Sequence, residues 1–169
     1  FRDLATNGVD KPVLNVFRMF GMMKGKRVAT EGTRMYALDN ILTSSIRQQT
    51  DIGSLASKDE HSAAVMIWNY HDEDKQAPAE QIQVTLNGLP SGSVKITHYR
   101  IDNEHSNSYE VWKKMGSPQN PTAEQIATLE KAGQLQTVEE PVTKKVKANN
   151  IVMNISLPRQ GVSFLKIDW

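Results

Sequence analysis

Cysteine is absent from all 169 residues of this chain. That absence excludes disulfides, zinc sites built from thiolates and a cysteine nucleophile. It does not decide the compartment, because a secreted protein can also lack cysteine.

The chain also lacks an excess of either charge and a long hydrophobic run. Its 20 basic and 19 acidic residues nearly cancel, and the basic ones are scattered along the sequence. The densest basic run, 144–147, fits the solvated face of a strand, so no basic surface for nucleic acid or an anionic membrane is indicated. The chain has no run of roughly 18 apolar residues, the length that a bilayer-spanning helix needs. Its first residues carry no signal-peptide pattern. We therefore predict neither nucleic acid nor membrane as a partner.

No recognised metal or cofactor motif is present. His98 and His105 flank Asp102 and Glu104, but their spacing matches no zinc motif, and we interpret them as structural or surface residues. The acidic turn 71–74 could attract calcium, yet it lacks the glycine and the alternation of a dedicated loop, so a solvated hairpin tip is favoured. Neither a Gly-x-Ser-x-Gly elbow nor a glycine-rich phosphate loop occurs. The prediction is no metal and no cofactor.

Alternating apolar residues predict a mainly β chain. The segment 64–70 is apolar on both faces, as a central strand between two layers should be. Ile82, Val84 and Leu86 alternate with polar residues, which indicates a strand exposed on one side. Short strands with regular turns favour an antiparallel β-sandwich. The predicted strands cover 26–29, 44–49, 52–57, 64–70, 82–86, 94–101, a polar strand before Asn149, 151–157 and 162–169.

An amphipathic helix is predicted near the start of the chain. Pro12 stands in the first turn, where its missing N–H costs nothing, and Gly25 ends the helix. The apolar stripe of this helix needs a large surface to cover it. The chain also opens at Phe1 and not at a methionine. We therefore interpret the chain as a processed or truncated product. The stripe consists of Val13, Val16, Phe17, Phe20 and Met23.

A long ordered excursion follows the strand that ends near Ile101. The inward face of that strand shifts by one residue near His98, which predicts a β-bulge. Thr122 and Gln125 form a capping box, and one short helix then runs over 123–132 to Gly133. The expected fold is therefore an antiparallel β-sandwich with an N-terminal amphipathic helix and one short helix in a long inter-strand excursion.

The aromatic residues fall into two groups. Trp68 and Tyr70 share a face of the most apolar strand, and we expect both in the core. Tyr109 and Trp112 lie three residues apart in the excursion, on a single helical turn. We favour Trp112 as a buried anchor of the excursion. A platform for stacking on a sugar ring is the alternative.

The excursion carries strings that point to a known family. They are Tyr99-Arg-Ile-Asp102, Met115-Gly-Ser-Pro-Gln119 and Pro121-Thr-x-x-Gln125, and they resemble the C-terminal region of glycoside hydrolase family 39, which holds the β-xylosidases and α-L-iduronidase. The likeness extends from Lys11-Pro-Val-Leu14 to Leu157-Pro-Arg-Gln-Gly161 and reads closer to the bacterial β-xylosidases. It implies a catalytic barrel upstream that this chain does not contain.

The resemblance also implies a domain organisation and partners. Residues 1–24 would be the remnant of the last barrel helix and its lead-in, and 25–169 a β-sandwich accessory domain. The expected partners are the missing barrel and, in the parent protein, a xylo-oligosaccharide or related glycoside. A homo-oligomer stays open, as does a bacterial cytoplasmic, periplasmic or secreted location.

No catalytic residue is expected in this chain. Family members use two glutamates at barrel strand ends, one inside Asn-Glu-Pro, and this chain has no Asn-Glu-Pro. Glu104 lies in the excursion and Glu31 follows the first helix, so neither takes that role. The parent would be a retaining glycoside hydrolase, and the chain alone should be inactive. The expected role is a structural accessory domain, with an autonomous carbohydrate-binding module as the alternative. The residues expected nearest to substrate are His105, Asn107 and Trp112.

Overall fold

Residues 4–75 and 77–169, which the computed structural model describes, form eleven strands and four helices. The helices are α1 (Pro12–Met22), α2 (Leu38–Ser44), α3 (Ser108–Lys114) and α4 (Ala123–Gly133). The strands are β1 (Ala5–Thr6), β2 (Val9–Asp10), β3 (Lys26–Val28), β4 (Asp51–Lys58), β5 (Ser62–Tyr70), β6 (Glu80–Asn87), β7 (Ser93–Ile101), β8 (Gln136–Thr137), β9 (Val142–Lys145), β10 (Asn150–Leu157) and β11 (Val162–Asp168).

Two antiparallel sheets form the sandwich. The larger sheet has the order β3-β4-β5-β11-β7-β8, with β9 paired to β7 beside β8, and the smaller sheet consists of β10 and β6. Alternating apolar side chains of the two sheets meet in a common core, as period-2 strands with one buried face require. The predicted β-sandwich is therefore confirmed. Its core includes Val65, Ile67, Val94, Ile96, Leu165 and Ile167 from the larger sheet and Ile151, Met153, Ile155 and Leu157 from β10.

A second apolar cluster covers the opposite face of the larger sheet. Met19 of α1 is fully buried there, in a cluster with Met66 and Phe164. The other side of the same helix faces away, since Phe17 is 56% exposed and Phe20 47% exposed. Helix α1 thus packs on the sandwich with one side and leaves two phenylalanines of the predicted stripe uncovered.

Strand β7 has no bulge, which corrects the prediction near His98. Its pairing with β11 runs in one unbroken register from Lys95 to Ile101. The apparent shift arises because the strand is covered on both faces at different points along its length. Val94 and Ile96 face the sandwich core, whereas Tyr99 and Ile101 belong to the cluster under α1.

The strand predicted over 44–49 is also wrong. The chain forms helix α2 up to Ser44 and then an irregular segment before β4. Leu38, Ile41 and Leu42 recur at the i, i+3, i+4 spacing of a helical face. None of the residues of α2 is buried, and Leu38 and Leu42 are 67% and 74% exposed.

Two further expectations are wrong at the end of β5: an aromatic pair in the core and a solvated hairpin tip at 71–74. Tyr70 is 44% exposed and Trp68 only partly buried, so this aromatic pair does not belong to the core. His71 is 4% exposed, and its backbone oxygen accepts a hydrogen bond from Gln160 at 2.6 Å. The segment 71–74 is not a hairpin tip, because β5 and β6 lie in different sheets.

In the part of the chain that the structure describes, no helix has the length and hydrophobicity needed to cross a membrane.

Candidate functional site

The candidate site is the excursion, residues 102–135, which connects β7 to β8. It holds two helices, α3 and α4, where the sequence predicted one. The predicted capping box is present at α4: Gln125 N donates to Thr122 Oγ1 at 3.2 Å, and Thr122 N donates to Gln125 Oε1 at 2.9 Å. Helix α3 starts at a second cap, because the side chain of Asn107 accepts a hydrogen bond from Glu110 N at 3.1 Å. Both caps define where the excursion changes direction.

A chain of polar contacts leads from the sandwich into the excursion. Within the sheet, Ser163 Oγ lies 3.0 Å from His98 Nε2, and Arg100 Nη2 lies 3.5 Å from the same nitrogen. Arg100 Nη1 then contacts Asp102 Oδ2 at 3.4 Å, and Asp102 Oδ1 accepts from His105 Nδ1 at 2.9 Å. Ser163, His98, Arg100 and Asp102 are all buried. The contacts form one path from β11 to the tip of the excursion, and we call these five residues the polar chain.

The surroundings of His98 and Asp102 fix the charge states of these two residues. Burial lowers the pKa of His98 to about 4, and the positive charges of Arg100 and His105 act in the same direction. His98 is therefore neutral. Burial opposes ionisation of Asp102, yet hydrogen bonds from the backbone of Glu104 and from His105 outweigh it and lower the pKa of this carboxyl.

His105 is the predicted residue with the most suitable geometry for contact outside the chain. Its side chain is 27% exposed, and an ionised Asp102 can only accept, so Nδ1 of the ring donates to it. Nε2 has no hydrogen-bond partner among residues 4–75 and 77–169. The ring therefore holds Nε2 in a fixed orientation, available to a group outside the excursion.

The other two predicted residues make contacts within the excursion. Asn107 caps α3 and also donates from Nδ2 to Asp102 O at 2.9 Å. Trp112 is partly buried and donates from Nε1 to Pro118 O at 3.0 Å. Its ring stacks on Tyr109 with a centroid distance of 5.7 Å, and Tyr109 is 54% exposed. Trp112 anchors the turn after α3 and supports an exposed tyrosine.

Buried polar contacts attach the excursion to the start of the chain. Asn15 of α1 is fully buried, and its Nδ2 donates to Ser106 O at 3.2 Å and to Gly133 O at 2.8 Å. Ser108 Oγ donates to Asp10 O at 2.6 Å. The Cβ of any residue other than glycine at position 133 would lie 2.6 Å from Asp10 O. Helix α1 and the excursion are therefore held together at short range.

The side chains brought together at this site form hydrogen bonds with one another. Glycoside hydrolysis requires two carboxyl groups about 5 to 9.5 Å apart across the sugar. Asp102 is buried and already engaged, which leaves it no role as an acid. In the described part of the chain no three histidine or acidic side chains converge on one point that could hold a metal ion.

Sequence patterns indicate Asp102 and His98 only as possible zinc ligands and assign no role at the site to Arg100 or Ser163. A signal was available for three of them: His98, Arg100 and Asp102 recur at period 2, so they share one face of a strand whose earlier positions are apolar. A run of polar residues on a buried face predicts that they bond to one another.

Comparison with known proteins gives consistent results. The sequence model of glycosyl hydrolases family 39 matches residues 1–152. A β-xylosidase from Geobacillus stearothermophilus is 19% identical over 167 residues, which is 98% of this chain and 28% of that protein.

Solved structures share the fold. The family 39 enzyme from Xanthomonas axonopodis pv. citri superimposes with a TM-score of 0.77 at 16% identity, over 98% of this chain and 32% of that one. A monomeric β-xylosidase from Caulobacter crescentus gives a TM-score of 0.75 at 18% identity, over the same shares of the two chains, 98% and 32%. The chain thus spans about a third of the length of these relatives. Because the family model covers most of its residues, the chain belongs to glycoside hydrolase family 39.

Proposed function

We propose that this chain is the C-terminal accessory β-sandwich of a β-xylosidase-like glycoside hydrolase, which supports a catalytic barrel in the same polypeptide. The division at residue 24 is part of this proposal, with residues 1–24 continuous with the barrel. The substrate of the whole protein would be a xylo-oligosaccharide or a related glycoside. The relatives are about three times as long as this chain, which leaves room for such a barrel.

The observation that carries this proposal is a pair of uncovered apolar helix faces. Phe17 and Phe20 of α1 are about half exposed, and Leu38 and Leu42 of α2 are exposed by more than two thirds. Burying a large apolar side chain contributes about 1.5–3 kcal/mol, so four such residues on two helices favour a protein surface opposite them. An adjoining barrel would supply that surface.

We further propose that the excursion borders the active-site cleft of the whole protein, with His105, Asn107 and Trp112 nearest to substrate. The fixed Nε2 of His105 supports this role, because a preset nitrogen can bond a sugar hydroxyl without reorganisation. Asn107 and Trp112 would act by holding α3 and the exposed ring of Tyr109 in place.

Activity assays test the proposal directly. The purified 169-residue chain should not hydrolyse aryl β-xylosides, whereas the full polypeptide should, with retention of configuration. Replacing His105 by Ala in the full polypeptide should raise KM with little change in melting temperature. Turnover by the isolated chain near the rate of the full polypeptide would refute the accessory role. An unchanged KM for both His105→Ala and Asn107→Ala would remove the excursion from the cleft.

One observation favours the second candidate, an autonomous carbohydrate-binding module. Tyr109 is 54% exposed and is held flat on Trp112 at an interplanar angle of 27°. Such a ring can stack on a sugar face. Titration of the isolated chain with xylohexaose decides between them: loss of binding in Tyr109→Ala would support the module, and no binding to the unmodified chain would exclude it.

A further inference from the structure

The smaller sheet of the sandwich is covered unevenly. On β10 the inward residues Ile151, Met153 and Ile155 are no more than 7% exposed. On β6 the inward residues paired with them, Leu86, Val84 and Ile82, are only partly buried. The two strands face the same core, so the difference shows that the layer is incomplete on the β6 side.

The free edge of β6 is also unprotected. Proteins guard exposed edges with short strands, charges or proline. The edge strand β3 follows that rule, with three residues of which two are Lys26 and Arg27, and β9 has Lys144 and Lys145 among its four. Strand β6 has eight residues, and from Gln81 to Asn87 it carries neither a charge nor a proline. Strand β10 at the other edge of the smaller sheet also has eight residues without a charge or a proline, so it is the groove beside β6 that distinguishes this edge.

A large groove runs beside this edge. Its floor is formed by β4 and β5, including Ile52, Ala56 and Ile67, and residues 28–34 form the far wall. Its volume is about 1130 Å³. Sites for small ligands usually enclose about 300–1,000 Å³ and contain aromatic side chains. None of the described residues that line this groove is aromatic, so it does not have the character of a sugar site.

We propose that an extended segment of the remaining polypeptide pairs with the free edge of β6 and fills this groove as a third strand of the smaller sheet. The proposal rests on the proposed function, in which the polypeptide is about three times the length of this chain. The segment would add backbone hydrogen bonds to β6, as in other cases of strand addition.

The shape of the groove argues against a second copy of the chain as the occupant. The larger sheet continues beneath the groove through β4 and β3, beyond the edge of β6. A second copy carries the same overhang, so the two larger sheets would collide before the β6 edges came within about 4.8 Å, the spacing of paired strands.

The groove also defines the chemistry of the segment. Alternate side chains must be apolar, because they face Ile52, Ala56 and Val84. The side chains between them must be polar, since they lie beside the outward residues Gln81 and Gln83. A segment of eight residues, matching β6, would extend over about 27 Å at 3.4 Å per residue.

Hydrogen exchange tests the proposal on the isolated chain and on the full polypeptide. We expect the free-edge amides of β6 to exchange about 10-fold or more slowly in the full polypeptide, because they gain hydrogen bonds. Val84→Lys, which places a charge in the groove, should abolish that protection in the full polypeptide. The matched control, Gln83→Lys on the outward face, should keep it. Val84→Lys should lower the melting temperature of the isolated chain more than Gln83→Lys does, because Val84 packs against the core, so the exchange of each variant is compared between its own isolated chain and its own full polypeptide.

The outcomes separate this proposal from the proposed function. Protection of α1 and α2 without protection of β6 would overturn the third strand and leave the barrel contact in place. Protection of β6 without protection of α1 and α2 would overturn the barrel contact and leave the third strand in place. Protection of β6 that grows with the concentration of the isolated chain would assign the groove to a second copy and would also overturn the proposal.

Discussion

Replacement of Asn15 by Ala should destabilise the chain strongly, although the residue is polar and lies on a helix with exposed phenylalanines. Asn15 is fully buried, donates to Ser106 O and Gly133 O, and accepts from Arg18 Nη1 at 2.7 Å. Alanine would leave two buried carbonyl groups without this donor, at about 1–3 kcal/mol each. Since neighbouring effects do not add fully, we expect a loss of about 2–4 kcal/mol in the free energy of unfolding.

The assay is urea and thermal unfolding of the isolated chain followed by circular dichroism. For a protein of this size, a loss of 1 kcal/mol shifts the melting temperature by about 2–4 °C, so we expect a decrease of about 5–15 °C. Phe17→Ser on the same helix is the matched control. It is 56% exposed, and its replacement should change the stability by no more than about 0.5 kcal/mol. A loss below about 0.5 kcal/mol for Asn15→Ala, or a loss equal to that of the control, would show that α1 is not attached to the excursion as described.

Three further predictions concern two glycines, one histidine and the two exposed phenylalanines of α1. Gly133→Ala should lower the free energy of unfolding by about 1–3 kcal/mol, because the new Cβ would lie 2.6 Å from a backbone oxygen of β2. Gly21→Ala, whose Cβ would have no atom within 4 Å, should instead stabilise α1 by about 0.5–1 kcal/mol. Unfolding in urea measures both changes. Folding lowers the pKa of His98 from 6.5 to about 4, so the unfolded chain binds this proton at a higher pH than the folded chain does. The stability of the folded chain should therefore fall as the pH drops from 6.5 to about 4. An imidazole ring of His98 that titrates near 6.5 by NMR would contradict this. Phe17→Ser combined with Phe20→Ser should reduce any self-association of the isolated chain in sedimentation velocity, and unchanged association would place the contact elsewhere.

Local signals in the sequence were sufficient for most of the sandwich. The alternation of Ile82, Val84 and Leu86 predicts β6, and the pair Thr122 and Gln125 predicts the start of α4. These features depend on residues that are close together in the chain, so the period of the apolar residues or the spacing of the capping pair predicts the local structure.

The error in β7 came from a long-range contact. A bulge was inferred in β7 because Tyr99 and Ile101 leave the alternation of Val94 and Ile96, but the cause is helix α1, which covers the second face of the sheet. Helix α2 is a different case, because Leu38, Ile41 and Leu42 carry the i, i+3, i+4 spacing of a helical face, so a local signal for this helix was present although none of its residues is buried.

The candidate site was predictable only in part. The sequence located the excursion and named His105, but the role of Asp102 depends on Arg100 and on the backbone of Glu104. Ser163 comes from β11, more than 60 residues away in the chain, and no spacing rule connects it to His98. The three residues expected nearest to substrate remain predictions.

Hydroxyl-radical footprinting of the isolated chain and of the full polypeptide tests the central claim most directly. If the chain is the accessory domain of a larger glycosidase, Phe17, Phe20, Leu38 and Leu42 should be modified readily in the isolated chain and protected together in the full polypeptide. Tyr70 and Val152 are also exposed and serve as references. Equal modification of the four residues in both forms would contradict the claim that these helix faces support a catalytic barrel.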